Sequence, residues 1–258
     1  MIEREALEAE NLRARAEGKQ PASGNAANPI YLPAPHKVAG AMYTAFLTPP
    51  RLPSEPWLHE SLWHSLQVIF WGFLLSSLVG VPLGILCGAF PSVSRFNEPF
   101  IEFFRYLPAP AFGALCVAVL GIYDAPKVAI IFIGTFFQQV LVIANTTRRI
   151  DPALLEAAET LGASRWKVFW RVLLPASWPG VVDNMRIGIG WAWTYLIVAE
   201  LVAADTGIGH VILTASRFLE TQKVIAGIVT IGILGLLTDA FFRILYWFLF
   251  PYSERVSR

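Results

Sequence analysis

The chain has 258 residues, of which 55% are hydrophobic and only 15% are charged, and its formal net charge is +1. Soluble domains carry about a quarter charged residues, and so apolar a chain would leave large exposed patches in water. The composition therefore excludes an ordinary soluble domain. A net charge of +1 also gives no excess of basic residues of the kind that binds nucleic acid. Cys87 and Cys116 lie in apolar runs, so we expect packing thiols and neither a disulfide nor a metal site.

The N-terminal segment, residues 1–57, is polar and rich in proline, and it contains no apolar core of a secretory signal. Residues 3–17 are predicted to form a short charged helix, followed by a flexible linker. Residues 35–47 are predicted to form an amphipathic helix at the membrane interface. We therefore divide the chain into this segment, a membrane domain at 58–252 and a cytoplasmic tail at 253–258.

Five stretches are long and apolar enough to cross a bilayer as helices, which takes about 20 residues each. They lie near residues 61–90, 100–121, 126–147, 177–203 and 222–250. The predicted fold class is an all-α, polytopic membrane bundle of about five core transmembrane helices. Pro82 in the first span and Pro108 and Pro110 in the second must be accommodated by packing. We expect unwinding at the start of the second span.

Small side chains recur every fourth residue along the first span. They are Gly72, Ser76, Gly80, Gly84 and Gly88. This spacing puts them in one narrow stripe of the helix, where they let a second helix backbone approach closely. We expect the stripe to pack against another helix of the same chain, and a contact between two subunits is the alternative.

Basic residues are concentrated in the loop that follows the third span. They are Arg148, Arg149, Arg165, Lys167 and Arg171. The positive-inside rule predicts that this loop and the C-terminus are cytoplasmic. Five spans then put the polar N-terminal segment outside, which leaves two explanations open. Either a further hydrophobic helix precedes residue 1, or the segment is translocated ahead of the first span.

The same loop contains a short predicted helix with well-defined ends. Asp151 suits the N-cap, Pro152 the first helical position, and Gly162 the residue that ends the helix. Its apolar residues share one face: Leu154, Ala158 and Leu161. A small amphipathic helix in a cytoplasmic loop is typical of an element that docks into a groove of a partner protein.

The spacing of residues in this loop is specific. Glu156-Ala157-Ala158 is followed after three residues by Gly162, and after nine more by Val172-Leu173-Leu174-Pro175. This pattern resembles the EAA loop of ABC importer permeases. Weaker local matches extend over about residues 58–252 and resemble the nitrate/sulfonate/taurine group, including the run at 103–108. The chain departs from that group at its N-terminus, where the family usually has an extra hydrophobic helix.

The resemblance implies the type I ABC importer permease fold, with the helix in this loop as the coupling helix. The implied ATPase-coupling residues are Glu156, Ala157, Ala158, Leu161 and Gly162. The implied partners are an ATP-binding cassette subunit, a second permease copy forming a homodimer, membrane lipid, and a periplasmic or lipid-anchored solute-binding protein. The chain would then be neither an enzyme nor a cofactor-binding protein, and it lacks a Walker-type phosphate loop. Its expected location is the bacterial plasma (inner) membrane, and its cargo a small anion such as nitrate, a sulfonate or taurine.

Polar residues and aromatic side chains within spans are candidates for the translocation path or gate. We single out Glu200, Gln138, Gln139 and Trp193. For Glu200 the alternatives are pairing with Arg217 or contact with the binding protein. For the two glutamines the alternative is hydrogen bonding between helices, and for Trp193 it is packing or a place in the interfacial aromatic belt. Two ion pairs within single helices are also expected to brace the bundle: Asp183 with Arg186, and Asp239 with Arg243.

The alternative function is a stand-alone secondary transporter or channel, which would use acidic residues within spans and need no ATPase. The intact spacing of the EAA loop argues against it. A membrane-embedded protease would need a serine and a histidine joined in one site, and no motif joins the available residues. These are Ser76, Ser77, His59, His64 and His210.

Overall fold

The computed structural model describes residues 2–18, 33–47, 57–202 and 206–251. Two helices precede the bundle, α1 (Ile2–Ala16) and α2 (Pro35–Leu47), and both coincide with predicted helices. Most of the predicted linker and the tail at 253–258 lie outside the described residues.

Four helices in the described ranges are long and apolar enough to cross a membrane. They are α3 (Leu58–Ala89), α6 (Asp124–Arg148), α9 (Leu174–Val202) and α11 (Thr221–Leu249). Their ends lie within about three residues of four of the predicted spans, as expected for helices defined mainly by apolar length. Pro82 lies inside α3, which continues through it.

The predicted span at 100–121 is broken near its start, where unwinding was expected. Here α4 (Pro91–Arg105) ends, and a 3-10 turn then leads into α5 (Gly113–Leu120), with a bend of 84° between the two halves. Pro108 and Pro110 explain the break, because proline lacks a backbone N–H and disfavours the helical conformation of the preceding residue. Taken as one broken span, the two halves bring the bundle to the five predicted spans.

The small-residue stripe of α3 packs against α6. A Cβ atom on Gly84 would lie 2.8 Å from Cβ of Ile143, and one on Gly72 would lie 2.7 Å from Cγ2 of Ile131. The two backbones are therefore close enough that only glycine fits at these positions. Packing of the stripe within the chain is thus confirmed.

The two ends of the bundle have different connecting helices. At the first, α6 leads into α7 (Pro152–Thr160), α8 (Arg165–Val168) and a π-helical turn (Phe169–Leu173) that runs directly into α9. At the second, the chain passes from α9 to α10 (Ile208–Arg217) and then into α11. We refer to them as the α7 end and the α10 end.

The two expected intrahelical ion pairs are present, and a third contact joins them. Arg186 Nη1 lies 3.4 Å from Asp183 Oδ1, and Arg243 Nη2 lies 2.9 Å from Asp239 Oδ2. Arg186 Nε also lies 2.7 Å from Asp239 Oδ1. The third contact links α9 to α11, which the sequence spacing did not reveal.

Replacing Asp239 with Asn is expected to loosen α11 from α9, because Arg186 and Arg243 then lose the carboxylate that they share. A double-mutant cycle with Arg186→Gln, read from unfolding in detergent, should give a coupling free energy of about 1 kcal/mol. Asp183→Asn is the matched control, since its ion pair lies within α9 and should leave this coupling unchanged. A coupling of zero between positions 186 and 239 would contradict the interhelical contact.

Candidate functional site

The start of α7 is fixed by its own sequence and by the bundle. The Asp151 carboxylate accepts a hydrogen bond from the Ala153 N–H at 2.9 Å, and Pro152 occupies the first helical position. Leu155 packs against the apolar cluster at the α7 end, which includes Phe169. The N-cap hydrogen bond and the packing of Leu155 therefore fix the position of α7 on the bundle.

The end of α7 depends on Gly162. Its φ is +84°, in the left-handed region that favours glycine. The N–H groups of Gly162 and Ala163 donate to the carbonyl oxygens of Glu159 and Ala158 at 2.9 and 3.1 Å. This pair of bonds is the Schellman arrangement, which closes a helix firmly.

Apolar side chains are exposed on α7 and at the residue that follows it. Leu154 is 52% exposed and Leu161 is 88% exposed, and Glu156 and Ala157 lie on the surface as well. The structure describes α7 throughout, and none of its residues is buried. Exposed leucines on a rigid surface helix are typical of a docking surface for another protein.

A cavity of about 240 Å³ lies at the bend between α4 and α5. The bend, α6 and α9 all contribute to its wall. Its polar and aromatic lining comprises Arg105, Gln138, Trp191, Tyr195, Phe104 and Phe137. Backbone that is not helical is tolerated at membrane depth where it lines such a cavity.

The two adjacent glutamines of α6 have different surroundings. Gln138 lines the cavity. Gln139 is buried against α3, where its Oε1 accepts from Ser76 Oγ and its Nε2 donates to Ser77 Oγ, both at 3.0 Å. The cavity wall therefore contains one of the two glutamines, and the other ties two helices together.

Trp193 lies away from the cavity. Its side chain is 5% exposed, and its indole Nε1 donates to Thr238 Oγ1 at 3.1 Å, which joins α9 to α11. The aromatic residues of α9 that reach the cavity are Trp191 and Tyr195. A spacing of four puts these two on the same face of α9.

Glu200 is fully buried at the α10 end and joins three helices. Ser65 Oγ of α3 donates to Glu200 Oε1 at 2.5 Å, and the Gly209 N–H of α10 donates to Glu200 Oε2 at 2.6 Å. The Ile208 N–H in turn donates to Ser65 Oγ at 3.0 Å. These partners, and not Arg217, anchor the first turn of α10, where unpaired N–H groups need acceptors.

A second polar cluster at the α10 end centres on Lys127, which is 1% exposed. Lys127 Nζ lies 3.3 Å from Asp124 Oδ1 and donates to Thr206 Oγ1 at 3.2 Å. His64 Nε2 lies 2.9 Å from the same Asp124 oxygen. The cluster connects α3 and α6 to the segment before α10. Sequence reasoning missed it, although an acid and a lysine three apart at a helix start were a usable signal.

The sequence analysis also missed three residues of the cavity wall as site residues: Arg105, Trp191 and Tyr195. Arg105 could have been found from its place in the sequence, because it is a cation that shortly precedes the prolines interrupting an apolar run. Broken helices in membrane proteins often surround binding sites, because the break frees polar groups at membrane depth.

Comparison with known proteins agrees with this architecture. Residues 80–246 match the family described as the binding-protein-dependent transport system inner membrane component. The taurine transport system permease protein TauC of Escherichia coli is 33% identical over 230 residues, which cover 89% of this chain and 83% of that protein. The nitrate import permease protein NrtB of Synechocystis is 27% identical over 238 residues, covering 90% and 84%.

Among solved structures, inward-facing MetNI methionine ABC transporter shares the fold with a TM-score of 0.63 at 20% identity. The match covers 73% of this chain and 94% of that one. The family prediction made from the EAA loop is thereby confirmed, against the alternative of a stand-alone transporter or channel. The chain is a multi-pass membrane protein and belongs to the inner membrane permease components of binding-protein-dependent ABC importers.

Proposed function

We propose that α7 is the coupling helix through which a separate ATP-binding cassette subunit drives this permease. The proposed contact residues are Glu156, Ala157, Ala158, Leu161 and Gly162. The observation that carries the proposal is the exposed apolar face of α7, held on a helix with two closed ends between two membrane spans. Such a face fits a groove on a partner, and ATP would be bound and hydrolysed there and not by this chain.

The connection of α7 to the bundle supports a mechanical role. Leu155 rests on the apolar cluster at the α7 end, and the chain continues through the π-helical turn into α9 without an intervening loop. A displacement of α7 is therefore passed to α9. The ATPase can shift the permease between two states if its contacts with α7 differ between its own two states.

We further propose that the α7 end faces the cytoplasm. The basic residues that flank α7 support this orientation under the positive-inside rule, and α11 runs back toward the same end, which would put the C-terminal tail in the cytoplasm. The α10 end would then face the solute-binding protein. A second copy of this chain would complete the translocation path as a homodimer, as the resemblance to ABC importer permeases implies.

The proposed cargo is a small anion of the taurine, sulfonate or nitrate type, which the names of the relatives support. We propose that Gln138 lines the path, because it reaches the cavity at the bend. We propose that Gln139, Trp193 and Glu200 serve the path by fixing the helices around it, in view of the bonds that each makes between helices.

The coupling proposal is tested by changing α7 at two positions, Glu156→Lys and Gly162→Val. Valine is strained at a φ of +84°, and lysine reverses a charge on the docking surface. Affinity for the co-expressed ATP-binding cassette subunit should fall at least about tenfold, as when an interface hot spot is lost, and uptake should fall with it. Co-purification and membrane insertion are measured together.

Glu102→Lys is the matched control for the charge reversal, since Glu102 is exposed on α4, outside the loop that carries α7. It should leave ATPase association unchanged. Normal association in the Glu156→Lys, Gly162→Val double variant would refute the docking role of α7.

A further inference from the structure

We infer that the cavity at the α4–α5 bend is a binding site for a small organic oxyanion with a short apolar chain. Arg105 and Gln138 would hold the oxyanion, and the aromatic wall would hold the chain. The inference rests on the proposed function and adds to it a selective site within the membrane domain, separate from any solute-binding protein.

The polar groups that line the cavity are suited to an anion. The lining residues that carry polar side-chain groups are Arg105, Gln138, Trp191 and Tyr195. All four can donate hydrogen bonds, and one carries a full positive charge. No aspartate or glutamate is among the described residues of the lining. The cavity therefore favours a negatively charged solute over a cationic one.

The Arg105 side chain is held in place by its neighbour. Its Nη2 donates to Tyr106 Oη at 3.0 Å, and its guanidinium carbon lies 4.7 Å from the centre of the Tyr106 ring. A guanidinium fixed over a ring in this way keeps further N–H donors in a planar fork. Such a fork matches a carboxylate or sulfonate, whose oxygens it can bind in pairs.

The apolar wall sets the size of the solute. Phe104 and Phe137 stack with ring centres 5.3 Å apart and their planes within 16°. Together they form an apolar part of the wall, which suits a short carbon chain. A cavity of about 240 Å³ is smaller than the pockets that enclose drug-sized ligands. The solute is therefore a small anion, such as a short-chain sulfonate or carboxylate, and not a drug-sized molecule.

The site is also connected to the coupling helix. Trp191 and Tyr195 belong to α9, which α7 reaches through α8 and the π-helical turn. A movement of α7 therefore displaces one wall of the cavity relative to Gln138 on α6. A site that changes shape with the ATPase state binds its solute in one state and releases it in the other.

The test uses the full-length chain in nanodiscs with a cysteine reporter at Ile133→Cys, which lines the cavity from α6. The probes are the anionic 2-sulfonatoethyl and the cationic 2-(trimethylammonio)ethyl methanethiosulfonates. Each forms a mixed disulfide with the cysteine and releases methanesulfinate. Because Cys87 and Cys116 are buried, the unmodified chain gives a low background rate.

The reporter should react faster with the anionic reagent than with the cationic one. Arg105→Gln should lower this rate ratio by roughly tenfold, because a nearby positive charge is lost, and Arg105→Lys should retain most of it. Ethanesulfonate should slow the modification, ethylammonium should not, and Gln138→Leu should weaken the protection. Ser216→Cys on α10 is the control, where Arg105→Gln should leave the ratio unchanged.

A rate ratio that is insensitive to Arg105→Gln, or a lack of protection by ethanesulfonate, would overturn the site. Because the ATPase is absent from this assay, that result would leave the coupling role of α7 untouched. The coupling role fails only if the α7 variants still bind the ATPase subunit.

Discussion

Leucine in place of Gly84 is expected to destabilise the bundle strongly. A side chain at this position would meet Cβ of Ile143 at 2.8 Å and the Val140 carbonyl oxygen at 2.9 Å, so α3 and α6 would have to separate. Overpacking of a well-packed core costs about 1–3 kcal/mol and more where backbone must move. We expect a loss of at least about 3 kcal/mol in the free energy of unfolding, measured by denaturation in detergent.

Two alanine variants separate this steric effect from the intrinsic preference for glycine. Gly84→Ala should destabilise the protein, since a methyl group alone already collides with α6. Gly190→Ala on α9 should be neutral or slightly stabilising, because no atom of another described element lies within 4 Å of its Cβ position and alanine is the better helix former. Equal stability of the two alanine variants would contradict the close approach of α3 and α6.

Removing the carboxylate of Glu200 is expected to release α10 from the bundle. In Glu200→Ala, the Gly209 N–H and the Ser65 hydroxyl lose their buried acceptor. A buried polar group without a partner costs about 1–3 kcal/mol, so the free energy of unfolding should fall by about 2–4 kcal/mol. Amide hydrogen exchange at residues 208–211 should become faster, which local unfolding of α10 requires.

Glu200→Gln is the matched control, because its amide oxygen can still accept from Gly209 and its NH₂ group can donate to Ser65. It should keep most of the exchange protection in α10 and most of the stability. If Glu200→Ala left the exchange of α10 as slow as in the wild type, the anchoring role would be disproved.

Features that depend on neighbours in sequence were predictable. The apolar runs defined four membrane helices, because the length of an apolar segment is a local property. The small-residue stripe of α3 identified its packing face, since its period of four matches the helix turn. The ends of α7 followed from Asp151 and Gly162, whose capping bonds reach only a few residues along the chain.

Features that depend on residues far apart in sequence were not predictable. Ser65 and Glu200 are 135 positions apart, so nothing in either local segment indicates their hydrogen bond. The cavity likewise forms only when the bend, α6 and α9 meet, and the sequence around Pro108 did not indicate how sharp the bend is. Gln138 and Gln139 looked equivalent as neighbours, but helix rotation separates their faces by roughly 100°.

The π-helical turn at Phe169–Leu173 gives the link between α7 and α9 a rotational character. A π turn holds one more residue than an α turn, so it changes the phase of α9 by roughly 100° about the helix axis. With that phase, the face of α9 that carries Trp191 and Tyr195 lines the cavity. If this turn changed from π-helical to α-helical, α9 would rotate about its axis and both rings would leave the cavity. A rotation of α7 could then change the cavity, as well as a translation of α7.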